Sequence, residues 1–327
     1  MHGLSYSVPG QGTQWLEASV RAVDLACDDV VAIELEYPVP LQAHEAGSHI
    51  KVQVIADGRQ ATRSYSVVEH RGRQRLLIAV RRLDNGQGGS KFMHALRVGD
   101  RLRASLPGNH FVLLPGAPSY MLIAGGIGVT PIVGMARALR ALRARFKFFY
   151  LGRKPEAMPF LPKLLAEFGE DLVVHIDAQA GPFDLQPHLA TQPGAAEAYV
   201  CGPVPMLEAL QASWAAAGRP RELLRFETFG AASDRPSEAF RVSVNRRNIE
   251  FLVPPERNLL EMLEERGCEP LYFCQRGECG LCAVDVVSLE GDLDHRDVFL
   301  SADQRAQGRQ LCACVSRATG SITIDMP

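Results

Sequence analysis

Up to about Leu113 the apolar positions fall in short alternating or apolar segments separated by turn residues: Trp15–Val23, Val30–Leu35, His49–Ile55, Arg63–Val68, Arg75–Arg81 and Arg101–Ser105. A period of two marks strands with one buried face, and many short strands at this spacing predict a small antiparallel β-barrel. From Tyr120 the pattern changes. Strands are predicted at Tyr120–Ala124, Lys147–Leu151, Leu172–Ile176 and Ala198–Cys201, and helices at Pro131–Ala144, near Phe160–Phe168 and at Pro203–Ala217. Such alternation implies an α/β domain with a parallel sheet. Glu227–Glu238 (ETFGAASDRPSE) is polar, aperiodic and contains proline, so it reads as a linker. Two short strands follow, Phe240–Val244 and Ile249–Val253, then a helix capped by Asn258 and closed by Gly267. The expected division is a barrel over 1–113, an α/β domain over 114–228, a linker at 229–238 and a small α+β domain over 239–327.

The chain length of 327 residues suits this division. A net charge of −2 gives no reason to expect nucleic acid or an anionic membrane as partner. The longest apolar stretch, Tyr120–Ile132, is too short and glycine-rich to span a bilayer, and the N-terminus lacks the pattern of a signal peptide. A cytoplasmic location is therefore expected. In that setting the 8 cysteines read as metal ligands and buried thiols rather than disulfides. Cys27 and Cys201 stand alone, while Cys268, Cys274, Cys279, Cys282, Cys312 and Cys314 crowd towards the C-terminus.

Cys274-Gln-Arg-Gly-Glu-Cys279-Gly-Leu-Cys282 has the C-x4-C-x2-C spacing of a plant-type [2Fe–2S] loop, which needs a fourth cysteine further on. One loop must wrap the cluster to supply three thiolates, and Gly277 and Gly280 let its amides turn towards sulfur. Four cysteines also suit zinc, although zinc sites more often pair two C-x2-C units. Cys268, beside the helix cap, reads as a packed thiol. Cys312 and Cys314 both qualify as the fourth ligand, and strand periodicity does not choose between them. Here the chain resembles the phthalate dioxygenase reductase and vanillate demethylase reductase family, in which a cysteine directly precedes Val-Ser-Arg-Ala. His295-Arg296-Asp297 and Leu300-Ser301 match the same family. The resemblance selects Cys314, and Cys312 is the runner-up.

Ala124-Gly125-Gly126-Ile127-Gly128-Val129-Thr130-Pro131 follows an apolar strand and opens a helix, where a pyrophosphate would meet free N–H groups. With Cys201-Gly202-Pro203 after a later strand, it resembles the pyridine-nucleotide domain of ferredoxin–NADP reductase-like enzymes. That resemblance implies cofactor contacts at Gly125, Gly126, Ile127, Gly128, Thr130, Pro131, Cys201, Gly202 and Pro203. For Cys201 a buried thiol is the alternative. Arg153-Lys154 ends the next strand and would suit the 2′-phosphate of NADPH, whereas the resembled reductases mostly prefer NADH. NADH is the expectation.

Arg63-Ser64-Tyr65-Ser66 resembles the superfamily's R-x-Y-[ST] flavin motif: an arginine for phosphate, a tyrosine for the ring or ribityl chain, a serine for the polar edge. Gly86-Gln87-Gly88-Gly89-Ser90, after Ala79-Val80-Arg81, resembles the family's phosphate loop, with Gln87 where the family has arginine. The resemblance implies flavin contacts at Arg63, Ser64, Tyr65, Ser66, Ala79, Val80, Arg81, Gly88, Gly89 and Ser90. With no adenine-binding extension, FMN is expected. Phe226 and Phe229 either face the flavin or pack in a core. Taken together, the resemblance implies a reductase without an acid–base dyad that takes electrons from NAD(P)H through FMN and a [2Fe–2S] cluster. Its acceptor would be a terminal oxygenase with a Rieske cluster and non-haem iron. The motifs also suit a reductase for another acceptor such as a cytochrome P450, or a redox-sensing flavin and iron–sulfur protein without turnover.

Overall fold

The computed structural model describes residues 14–42, 45–56, 58–84, 88–229 and 235–326, which form two compact units, Met1–Glu227 and Thr228–Pro327. In the first unit, strands β1 (Trp15–Cys27), β2 (Val30–Glu36), β3 (Ser48–Ala56), β4 (Arg59–Arg71) and β5 (Arg75–Arg81) precede helix α1 (Gly89–Ala95). Strand β6 (Arg101–Ser105) and the short β7 (Gly108–Asn109) follow it. The hydrogen-bonded order β4-β5-β2-β1-β6-β3 closes through β3 onto β4, giving a six-strand antiparallel barrel. Val20, Ile33, Ile50, Val52 and Met93 of α1 fill its interior.

The run RLLIAVR in β5 lacks the usual polar alternation because both of its faces are buried. Leu76, Ile78 and Val80 point into the barrel, while Leu77 and Ala79 join a second core with Val129, Ile132 and Val133. That second core belongs to the α/β half: β8 (Tyr120–Gly125), α2 (Val129–Ala141), β9 (Phe146–Gly152), α3 (Leu161–Phe168), β10 (Leu172–Ile176), α4 (Asp177–Ala180), α5 (Gln186–Ala190), β11 (Glu197–Gly202), α6 (Val204–Ala216) and β12 (Leu224–Thr228). Sheet order is β10-β9-β8-β11-β12, and the β10–β9, β9–β8 and β8–β11 pairings are parallel. The shared core is why barrel and parallel sheet fall in one unit.

Two details differ from the sequence reading. Helix α2 starts at Val129 rather than Pro131; proline sits in the first turn, where its missing N–H costs nothing. The polar stretch starting at Glu227 is not all linker, since Glu227 and Thr228 end β12 and are buried. Residues 230–234 of that stretch lie outside the described residues.

The second unit holds β13 (Phe240–Val244), β14 (Ile249–Val253), α7 (Leu259–Glu265), β15 (Ala283–Glu290), β16 (Leu293–Asp294), α8 (Ala302–Gln307), β17 (Gln310–Cys312), β18 (Arg317–Ala318) and β19 (Ser321–Asp325). The sequence reading assigned no elements after the cysteine loop. Its mixed sheet runs β14-β13-β19-β15-β17 with β13 parallel to β19, and α7 packs into the same core, a β-grasp arrangement. Asn258 and Glu261 form a reciprocal capping box at α7. Among the described residues no helix is long and apolar enough to cross a membrane.

Glu34 of β2 ties three barrel strands together, accepting from Arg71 at 2.6 Å and Arg75 at 2.7 Å while itself buried. The Arg71 hydrogen bond, against the opposing effect of burial, holds its carboxyl below the usual range. A depressed carboxylate stabilises the fold above its unfolded pKa, and that contribution is lost as pH falls through the folded value. Glu34→Gln is expected to cost about 1–3 kcal/mol at pH 7. In calorimetric scans the difference in Tm from the parent should shrink to nothing on acidification through the carboxylate range.

Candidate functional site

Strand β4 changes partner at the end of the flavin motif. It pairs with β3 up to Ser66, opposite His49, and with β5 only from Val67, opposite Ile78. Beyond that point Ala79, Val80 and Arg81 continue along β2 without a β4 partner. The barrel therefore opens between Tyr65-Ser66 and Ala79-Arg81, where among the described residues the main chain lacks cross-strand partners on that side and Val80 O is met instead by His94 Nε2 at 2.9 Å. Arg63 and Tyr65 share one face of β4. The Arg63 side chain lies over Gly89 at the start of α1: a Cβ on Gly89 would come within 3.0 Å of its Cγ and 3.1 Å of its Nε. The R-x-Y-S strand and the glycine-serine loop thus meet. Ser90 Oγ accepts from Leu83 N–H at 3.1 Å, fastening the loop. Burial pushes the Tyr65 hydroxyl up to about 12, so it is a hydrogen-bond donor at neutral pH. Arg81 is paired with Asp29 at 2.6 Å. Ser64 is exposed and Ser66 buried; Gly86 and Gln87 lie outside the described residues.

In the parallel sheet, the strand order reverses direction between β8 and β11, which is where ligands bind in open α/β folds, at the carboxyl ends of the strands. Gly125–Gly128 ends β8 and Cys201-Gly202-Pro203 ends β11, so both nucleotide motifs flank that crevice. Their glycines do different work. A Cβ on Gly128 would run into the carbonyl of Cys201, and one on Gly125 would meet Met206 and Pro203, so these two permit the motifs to pack against each other. Gly126, with φ 53°, has open space around its Cβ position and adopts a backbone conformation that favours glycine. Thr130 Oγ1 donates to Ile127 O at 3.0 Å and Pro131 is buried, so both brace the turn. Cys201 is wholly buried in the core that holds Val129 and Ile132. Arg153 and Lys154 are exposed beyond the end of β9.

The cysteines gather as two pairs. Cys274 and Cys279 are hydrogen-bonded, which pushes the Cys274 thiol up and Cys279 down to about 6. Cys282 Sγ lies 3.2 Å from Cys314 Sγ. Hydrogen bonds from Cys312 and then Cys314 hold the Cys282 thiol below its ordinary range. Two pairs fit a binuclear cluster, which takes two thiolates on each iron. Main-chain N–H groups of Arg276 and Glu278 point at Cys274 Sγ at 3.4 Å each, and that of Gly277 at the Cys314 sulfur. Gly277 has φ 73°, and a Cβ there would press on Val315 and Asp297. The strand argument for Cys312 and Cys314 does not apply: β17 ends at Cys312, and residues 313–315 form a turn that swings Cys314 towards the loop. Cys312 pairs with Ala283 and is fully buried. Cys268 is buried in the same core, as expected. Phe229 is 43% exposed and Phe226 half-buried, so core packing does not account for Phe229.

Tyr150 escaped the sequence reading, and Asp297 entered it only as part of a family match, with no role assigned. Tyr150, fully buried, places its hydroxyl 2.9 Å from Pro159 O and 3.3 Å from Gly126 O, bracing the glycine turn. The signal was a tyrosine inside the apolar run KFFYLG, whose hydroxyl needs a buried partner. Asp297, fully buried, accepts from Ser316 Oγ and Leu300 N–H at 2.9 Å each. Burial raises its pKa, but His295, Leu300 N–H and Ser316 together hold it below the usual value.

Residues 17–112 match the family model of an oxidoreductase FAD-binding domain, and residues 242–319 that of a 2Fe-2S iron-sulfur cluster binding domain. The chain is 34% identical over 308 residues to the phthalate 4,5-dioxygenase oxygenase reductase subunit of Pseudomonas putida, covering 90% of this chain and 91% of that protein. It is 38% identical over 313 residues to tetrachlorobenzoquinone reductase of Sphingobium chlorophenolicum, covering 92% and 94%. Among solved structures, phthalate dioxygenase reductase, described as a modular structure for electron transfer from pyridine nucleotides to [2Fe-2S], superposes with a TM-score of 0.74 at 33% identity. That match covers 95% of this chain and 98% of the other.

Proposed function

Because the chain belongs to the phthalate dioxygenase reductase family, with its flavin and [2Fe–2S] domains, we propose that it carries electrons from NADH through FMN and the cluster to the terminal Rieske non-haem iron component of an oxygenase or demethylase. A flavin supplies the exchange between a two-electron hydride donor and a one-electron iron–sulfur acceptor. The observation that carries the reading is the common core of barrel and parallel sheet. Ala79, at the open end of the barrel, packs in one cluster with Val129, the first residue of the helix after the glycine turn. Ligands held by the two motifs are thereby brought side by side in a rigid unit.

Within that unit Arg63 neutralises the flavin phosphate, with Ser90 and the N–H groups of Gly88 and Gly89 completing the cradle. Tyr65 and Ser66 line the ring's side of the gap and Ala79–Arg81 its other side. Gly126 and Ile127 receive the dinucleotide; Gly125, Gly128, Thr130, Pro131, Cys201, Gly202 and Pro203 shape the crevice. Cys274, Cys279, Cys282 and Cys314 are the cluster ligands. FMN is favoured over FAD because only residues 82–88 link β5 to α1, too little chain to house an adenosine. NADH is favoured over NADPH because Asp177, next to Ala178 whose N–H donates to Arg153 O, sets a carboxylate beside Arg153 and Lys154 that opposes a 2′-phosphate.

Chromatography of the flavin released by heating should show FMN. Anaerobic stopped-flow mixing should bleach the flavin faster with NADH than with NADPH, and reduction of the cluster should follow. Arg63→Ala should weaken flavin retention by about tenfold to a hundredfold, the loss of one charge-assisted hydrogen bond. Release of FAD, or flavin reduction too slow to sustain turnover with either nucleotide, would overturn the proposal.

A further inference from the structure

The four thiols come from two stretches of chain, the loop Cys274–Cys282 and the turn at Cys314, and between them in sequence lies a buried segment that neither supplies a ligand nor faces solvent. Its centre is Asp297. Val298 N–H donates to Gly277 O at 3.0 Å, and the Asp297 backbone lies so close that a Cβ on Gly277 would be 2.8 Å from its Cα. On the other side Asp297 Oδ1 accepts from Ser316 Oγ, two residues after Cys314, and the same hydroxyl accepts from Arg296 N–H at 3.0 Å. Oδ2 accepts from Leu300 N–H, His295 Nδ1 stands 3.6 Å from Oδ1, and Arg305 Nη2 donates to the Asp297 carbonyl at 2.6 Å. Asp297 therefore joins the two ligand-bearing stretches, and it does so with a fully buried carboxylate surrounded by donors.

We propose that Asp297 is a positioning residue for the cluster, fastening the Cys314 turn to the Cys274–Cys282 loop, and that its buried negative charge holds the reduction potential of the cluster down. The first half follows from geometry: with the Ser316 bond gone, Cys314 is held to the loop by fewer contacts, so iron escapes more readily. The second follows from charge. Reduction adds an electron to a site already flanked by thiolates, and a buried carboxylate on the residue packed against Gly277 of the ligand loop, in a poorly screened interior, opposes that electron. Arg305, whose Nη2 donates to the Asp297 carbonyl, offsets part of this charge, while Arg296 is already engaged by Asp294 at 2.7 Å, so removing the carboxylate leaves the surroundings more positive.

The inference rests on the [2Fe–2S] reading, and the test separates the two. The full chain, purified anaerobically, is assayed for iron and acid-labile sulfide, for the midpoint potential of the cluster by spectroelectrochemical titration, and for the rate at which a chelator strips iron. Without two irons and two sulfides in the parent, the cluster reading itself fails. With the parent loaded, Asp297→Asn, which keeps an acceptor for Leu300 N–H, should shift the midpoint to more positive potential. Ser316→Ala, which leaves the charge in place, should lose iron to the chelator about tenfold faster. An unchanged midpoint in loaded Asp297→Asn, or an unchanged stripping rate in Ser316→Ala, overturns the proposal. If Asp297→Asn does not fold, Asp297→Ser takes its place in the midpoint titration, where an unchanged midpoint overturns the proposal just as an unchanged stripping rate in Ser316→Ala does.

Discussion

Replacing Cys314 by serine is expected to leave a protein that binds flavin but carries almost no iron, whereas Cys312→Ala should keep its cluster. Both cysteines neighbour Cys282, so proximity to one ligand does not separate them. What separates them is the remainder of the site. Cys314 receives the Gly277 N–H and feels Cys274, so its sulfur faces the loop, while Cys312 is fixed in β17 opposite Ala283 with its side chain wholly buried. A serine hydroxyl is a poor substitute for thiolate on iron. Alanine at position 312 removes a buried sulfur without introducing a polar group, so its cost is one of packing. Iron and sulfide per chain, with the visible spectrum in the flavin-free difference, read the outcome. Loss of the cluster from Cys312→Ala and its retention in Cys314→Ser would transfer the ligand role to Cys312.

Gly128→Val should cut the rate of flavin reduction by NADH by about tenfold or more while leaving flavin and iron content close to the parent's. The new side chain would collide with the backbone carbonyl of Cys201, which cannot swing aside as a flexible side chain would. Overpacking of this kind costs about 1–3 kcal/mol, and it falls on the contact that sets the two nucleotide motifs on either side of the crevice. Reduction of the flavin by dithionite needs no nucleotide crevice and serves as the control. Equal NADH and dithionite rates in variant and parent would show that the spacing of the motifs is unimportant for hydride transfer.

The same position shows what sequence reasoning reached and where it stopped. A glycine-rich turn between an apolar strand and a helix was legible as a nucleotide motif because its chemistry is local: strand, turn and helix are contiguous. Which glycine admits the ligand and which admits a neighbouring strand was not. That division depends on Cys201 and Met206, far away in sequence, and only the tertiary packing brings them to Gly125 and Gly128. At the linker, composition ran Glu227 and Thr228 into the polar stretch although the domain division placed both before 229, and the sheet takes them into β12.

Sequence by itself determined the order of the parts, most strand positions, the C-x4-C-x2-C loop, the glycine turns and the Arg63 motif, because each is written in residues adjacent along the chain whose periodicity or spacing carries the physical demand. Tertiary structure alone decided three matters. It placed the barrel and the parallel sheet on one core, since the apolar run of β5 is buried on both faces only when the two halves pack together. It laid Arg63 across Gly89, joining two motifs whose separation in sequence says nothing of their distance. It also turned the chain after Cys312, so that two cysteines expected to share one face point to different surroundings. Contacts between distant segments are set by the summed packing of everything between them, and no local pattern encodes that sum.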